Sequence, residues 1–149
     1  MSFFLPPHKA QGLANYPHAR IVPGRESPPC QRTLYISGTS SRNGDGTWEG
    51  VSEDAEGGLK LDIRAQTAAV LRNIGEIIRL ASDGAGNLMD VVDVTVFLTD
   101  LERDYAGMNE EWNRVWKREE APARTTVGVK ALPNSRLLVE MKCVAVIFF

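Results

Sequence analysis

Apolar residues recur at helical spacing in two stretches of this chain, and strand-like alternation lies between and after them. From Leu61 to Ser82, Ile63, Thr67, Val70, Leu71, Ile74, Ile77, Ile78 and Ala81 share one helical face, while Arg64, Arg72, Glu76 and Arg79 lie elsewhere. Asp83-Gly84-Ala85-Gly86 ends that helix. Val91 to Leu98 reads as a strand with Val92, Val94, Val96 and Leu98 on one face and Asp93 and Thr95 diluting the other. Thr99-Asp100 supplies turn and N-cap chemistry for a second helix from about Glu102 to Arg118. Tyr105, Met108, Trp112, Val115 and Trp116 mark its apolar side, and the aromatic set reads as core. After the break at Glu119-Glu120-Ala121-Pro122 come a strand (Thr125 to Ala131), a turn (Leu132 to Ser135) and a long final strand (Arg136 to Phe149).

Upstream the pattern is weaker. Residues 1–20 read as irregular, with 1–15 a lead-in to the domain. Leu34 to Gly38 is a short strand, preceded by a hairpin loop at Arg25-Glu26-Ser27-Pro28-Pro29. Thr39 to Gly58 is a polar loop with room for a short strand near Trp48. The order β-β-(β)-α-β-α-β-β predicts an α+β domain in which two helices cover one face of a mixed sheet. The final strand is apolar on both faces, with Val144, Val146 and Phe148 on the side shared with Glu140. A strand of that kind predicts burial on both sides, hence a homo-oligomer.

Composition narrows the function classes. The chain has 149 residues, 43% hydrophobic and 24% charged, which suits a single domain spanning 1–149 with a core of ordinary size. A net charge of −2 gives neither a nucleic-acid footprint nor a polybasic membrane patch. No apolar run reaches the ~18 residues of a membrane span. The opening residues carry no basic n-region of a signal peptide, so a cytoplasmic, reducing compartment is expected. Cys30, Cys143 and two histidines are too scattered for a zinc site, and Cys143 reads as a small buried hydrophobe.

The chemistry concentrates in the last third. Arg124 follows the small-Pro-small turn Ala121-Pro122-Ala123 at the mouth of a strand. Its planar fork suits a carboxylate. Glu140 interrupts an otherwise apolar strand, where a charge is costly unless it is paired or faces a site. If the two strands are neighbours, an anion-binding guanidinium and a general base share one pocket. With Arg124 close by, Glu140 would stay ionised near neutral pH. The plainer reading is a structural ion pair of Glu140 with Arg124 or Lys142.

The run Pro122-Ala123-Arg124-Thr125-Thr126-Val127, with Leu132-Pro133 and Val139-Glu140-Met141 beyond it, resembles the signature of the Rid (YjgF-type) reactive-intermediate deaminases. Ile36-Ser37-Gly38, Ala65-Gln66-Thr67, Asn73-Ile74, Val94 to Leu98 and Tyr105-Ala106-Gly107-Met108-Asn109 follow in family order. Pro17-His18, Ser37-Gly38-Thr39-Ser40-Ser41-Arg42 and Leu61-Asp62-Ile63-Arg64-Ala65-Gln66-Thr67 are similar to the 2-aminomuconate deaminase branch. The resemblance implies a chorismate-mutase-like fold and a homotrimer whose sheets line a barrel. It places sites between subunits and calls for neither metal nor cofactor.

By the same resemblance, the activity is hydrolytic deamination of 2-aminomuconate, a small dicarboxylate met in aromatic-compound breakdown. A general 2-aminoacrylate-type deaminase and a non-catalytic trimeric binding or chaperone-like protein remain the alternatives. Ribonuclease activity fits the acidic balance poorly. Arg124 is expected to bind the carboxylate and Glu140 to guide water or relay a proton. Ser37 and Asn109 are expected to touch substrate, the alternative for Asn109 being a solvated helix-surface side chain. His18 stands where many relatives carry a tyrosine and is placed to contact a carboxylate or shuttle a proton. Arg42, or less favourably Arg20, is the second cation that a dicarboxylate calls for. Thr126 stands where several members of the resembled family carry a cysteine, so the thiol role of those members does not carry over. The stretch Arg25 to Arg32 lengthens the first hairpin beyond the family norm.

Overall fold

The first long helix starts where its sequence supplies a cap. The Asp62 carboxylate accepts from Arg64 N at 2.9 Å and Ala65 N at 3.2 Å, satisfying donors that a first helical turn leaves unpaired. In this computed structural model residues 2–11, 18–23 and 30–149 are described, the side chains of Arg20, Val22 and Pro23 excepted. The expected hairpin loop at residues 25–29 and the Pro17 position lie outside them. The elements run β1 (Ser2–Phe3), β2 (Ala19–Pro23), β3 (Gln31–Thr39), β4 (Val51–Glu53), β5 (Leu59–Leu61), α1 (Ile63–Ala81), β6 (Val91–Leu98), α2 (Leu101–Val115), β7 (Ala123–Gly128) and β8 (Val139–Phe148), with a 3-10 turn at Leu88–Asp90. Asp100 caps α2 as expected, its carboxylate accepting from Arg103 N at 3.0 Å.

Six strands form one mixed sheet in the order β1-β2-β3-β8-β6-β7, and β4 and β5 form a separate hairpin within the loop before α1. Among the described strands only β6 and β7, joined through α2, run parallel. The buried faces of α1 and α2 pack on the side of the sheet that presents Leu34, Ile36, Val94, Val96, Leu98, Val139, Met141, Cys143 and Ile147. Cys143 is buried there as expected, and burial pushes its thiol up to about 12. This is the expected α+β arrangement. The other sheet face carries Tyr35 and Phe148, 49% and 61% exposed, beside half-buried Val144 and Val146. No helix is long and apolar enough to cross a membrane among the described residues.

Several expectations are corrected. Residues 2–3 are not irregular but pair with Ala19 and Arg20. Val92 leaves the core face because the β6–β8 register slips between Val91 and Asp93, and the resulting bulge turns it 46% exposed. The last strand begins at Val139 rather than Arg136. Ahead of it, the buried Gln66 amide donates to Arg136 O at 2.7 Å and accepts from Leu138 N at 2.9 Å. A side chain of α1 thus satisfies backbone groups that a longer strand would have paired with a neighbour. Tyr105 is 43% exposed and not core, whereas Met108, Trp112 and Trp116 are buried.

Candidate functional site

A second bulge builds the surroundings of Glu140. Ile36 pairs with Cys143 and Thr39 with Met141, so Ser37 and Gly38 together stand opposite Lys142. The bulge is held by Ser37 N donating to His18 O and by Thr39 Oγ1 donating to Ser37 O, both at 3.0 Å. A Cβ at Gly38 would fall on Glu140 Oε1 and lie 3.0 Å from Cδ, so the carboxylate rests against a backbone only glycine leaves bare. Val139 and Met141 point into the core, which turns Glu140 to the opposite face. Burial raises its carboxyl above the ordinary carboxylate range, and no cation is paired with it among the described residues. The plainer reading, an ion pair with Arg124 or Lys142, is not formed among the described residues. Glu140, Ser37, Gly38, His18 and Arg42 all line one cavity of about 760 Å³.

Arg124 is elsewhere. It pairs with Val94 on β6, which pairs with Cys143 on β8, so it shares the helix-covered face of the sheet. Its guanidinium carbon lies 4.7 Å from the Trp112 ring centroid and 5.9 Å from that of Tyr105. Nη2 is 3.4 Å from the Tyr105 hydroxyl and Nη1 is 3.9 Å from Met108 Sδ. These neighbours hold the charge in place without neutralising it, and no carboxylate pairs with Arg124 among the described residues. Asn109 lies one turn after Tyr105 on the same side of α2. Thr126 Oγ1, two residues along the strand and facing the same way, is buried without a hydrogen-bond partner.

The condition that these two strands be neighbours is therefore not met. β6 lies between β7 and β8, because the crossover through α2 delivers β7 to one edge of β6 and β8 returns along the other. Arg124 and Glu140 also face opposite sides of the sheet. One chain thus holds two separate groupings: Arg124 with Tyr105, Trp112 and Asn109, and Glu140 with Ser37, Gly38, His18 and Arg42.

His18 is not free for proton transfer. Its Nδ1 accepts from Leu5 N at 3.1 Å, which places the ring proton on Nε2, 2.8 Å from Ala10 O. Arg42 donates to Gln11 O at 2.9 Å and lies over Trp48 at 5.9 Å. The Arg20 side chain lies outside the described ones. The sequence reading missed Tyr105 as a neighbour of Arg124 and Gly38 as the seat of the Glu140 carboxylate. For Tyr105 the signal was present: it stands four residues before Asn109 on the helix next to Arg124.

A family model described as endoribonuclease L-PSP matches residues 25–147. A RutC family protein of Pyrococcus abyssi is 42% identical over 87 residues, covering 58% of this chain and 64% of that protein. The chloroplastic Reactive Intermediate Deaminase A of Arabidopsis thaliana is 37% identical over 84 residues, covering 56% of this chain and 41% of that protein. The chain thus spans less than two thirds of the length of these relatives. Among solved structures, RidA from an Antarctic Psychrobacter superposes with a TM-score of 0.69 at 27% identity, covering 97% of this chain and 98% of that one.

Proposed function

The chain belongs to the endoribonuclease L-PSP family, the Rid/YjgF (RutC) proteins, and on that premise we propose that it is a hydrolytic deaminase of carboxylate-bearing enamines and imines. The observation that carries the reading is Arg124: a guanidinium fixed on an aromatic shelf with no anion paired to it among the described residues. In the proposed mechanism Arg124 holds the carboxylate next to the amino-bearing carbon. The enamine takes a proton from solvent at carbon and becomes the iminium ion. Water adds to the C=N carbon as Glu140 accepts one of its protons, and Glu140 returns that proton to nitrogen. The C–N bond breaks, ammonia leaves, and the hydroxyl proton passes back to solvent as the carbonyl forms. Burial moves the Glu140 carboxyl upward, the direction that suits a group which must both take and return a proton. Positioning and a few polar contacts suffice for a reaction that also runs unaided.

The two groupings meet when protomers associate, and the exposed apolar sheet face around Tyr35, Val144 and Phe148 supports an oligomer. We place Arg124 of one protomer against the Glu140 cavity of its neighbour in a homotrimer. The finer substrate is 2-aminomuconate, supported by Arg42 on the Glu140 cavity as a second cation. The test is ammonia release from freshly generated 2-aminomuconate and from 2-aminoacrylate. Faster turnover of the dicarboxylate is expected. The reverse ratio leaves a general enamine and imine deaminase, a reading favoured by the match to the Arabidopsis deaminase. Absence of ammonia release above the spontaneous rate from either compound overturns the deaminase reading.

Gly38→Ala tests the Glu140 geometry without replacing either charged group. The added methyl meets the end of a flexible side chain, so the fold tolerates it while the carboxylate must swing away. Turnover is expected to fall by about 10- to 100-fold, the order that a displacement near 1 Å costs, with an unchanged circular-dichroism spectrum. Retained turnover would show that the carboxylate position is unimportant.

A further inference from the structure

Residues 2–11 form one wall of the Glu140 cavity, where Leu5, Lys9 and Gln11 line it beside Ser37, His18 and Arg42. This segment is tied down at several points. Ser2 and Phe3 pair with β2, and His18 N donates to Phe3 O at 3.0 Å. The His18 ring clamps the next turn by accepting from Leu5 N and bonding Ala10 O. Gln11 Nε2 closes the same turn on Pro6 O at 2.9 Å and Lys9 O at 3.0 Å. Lys9 reaches Glu76 on α1 at 3.5 Å. On the outer side, Gly44 sits so close that a Cβ there would strike His8 O and lie 2.9 Å from Lys9 Cα.

The charges on this cavity leave a remainder. Lys9 and Arg79 pair with Glu76, and Arg72 pairs with Glu49. Among the described residues two charges remain without a partner of opposite sign, Glu140 and Arg42, and Arg42 donates to a neutral carbonyl, Gln11 O, at the end of the strap and lies over Trp48. That bond orients the guanidinium and neutralises none of its charge.

We propose that residues 2–11 are a specificity strap: His18 is a positioning residue that latches the strap, and the strap in turn holds Arg42 ready for a second carboxylate at the far end of the ligand. The inference rests on the carboxylate-binding reading above and adds what selects ligand length and charge. A latched strap supplies a fixed anion anchor and a closed outer wall. A loosened one leaves Arg42 a mobile surface charge, for which exposed pairing is worth little.

The test uses two inert analogues of equal length, adipate and hexanoate, in calorimetric titrations of the full-length protein. Wild type is expected to bind adipate at least about tenfold more tightly, the value of one charge-assisted contact. His18→Phe keeps a ring and loses both bonds, and Gly44→Ala pushes the strap off from outside while leaving His18 intact. Both are expected to lose the adipate preference while hexanoate binding stays within about twofold. Both are also expected to speed amide exchange at Leu5 and Lys9. An unchanged adipate-to-hexanoate ratio in variants whose strap exchanges faster overturns the proposal, as does wild type with no adipate preference. Exchange unaltered in both variants overturns the latch itself. Because the titrations need no turnover, failure to release ammonia would sink the deaminase reading alone.

Discussion

Arg124→Ala is expected to lower kcat/KM roughly 30- to 3,000-fold, chiefly through KM, which is the cost of removing one partner from a desolvated, hydrogen-bonded charge contact. The size follows from how the side chain is held. Trp112 lies beneath the guanidinium, Tyr105 and Met108 flank it, and none of them is an anion. The fork is therefore oriented before ligand arrives, so little entropy is lost on binding. The fold should survive, because the substitution breaks no ion pair among the described residues. Arg124→Lys keeps the charge but not the planar fork or the stacking, and should recover only part of the loss. Steady-state rates of ammonia release measure all three proteins. A variant with an unchanged KM would remove Arg124 from the site.

Glu140→Gln is expected to act on kcat, by roughly 10²- to 10⁴-fold, the range for loss of a positioned general acid–base. Glutamine fills the same space against Gly38, so the loss reports the proton and not the shape. The same variant carries a stability signature of the opposite sign. Burial raises the Glu140 carboxyl above its ordinary value of 4.5. Below that value both folded and unfolded chains hold the proton, and the group costs nothing. As pH rises toward the elevated value, the unfolded chain ionises first and the fold loses stability. Above it the full cost remains. Glu140→Gln removes that cost, so its melting temperature relative to wild type should rise from acid to neutral pH. A difference independent of pH would show that the carboxyl is not perturbed.

Much of the architecture was legible because it is local. The α1 stripe from Ile63 to Ala81 and the caps at Asp62 and Asp100 are written in short-range pattern. So is the doubly apolar β8. What escaped depends on contacts between distant segments. Nothing in the run from Arg124 to Glu140 says that β6 will lie between their strands, since pairing order is a property of the whole sheet. Each bulge, at Val92 and at Ser37-Gly38, adds a residue that breaks the two-residue period and turns a side chain to the other face. Tyr105 fits an apolar helical stripe, yet lies at its edge beside a cation. His18 was expected to contact a carboxylate or shuttle a proton, whereas its bonds to Leu5 and Ala10 make it a clamp. The N-terminal lead-in looked irregular because most of its ties run through side chains and through backbone far along the chain.

The central claim is that Arg124 and Glu140, held on opposite faces of one sheet, act together only across a protomer boundary. Co-expressing Arg124→Ala and Glu140→Gln chains with different tags and isolating doubly tagged oligomers tests it directly. In a mixed cyclic trimer one boundary unites an intact Arg124 with an intact Glu140, so activity should return to about one third of the wild-type value per oligomer. Doubly tagged oligomers no more active than either parent would contradict the account.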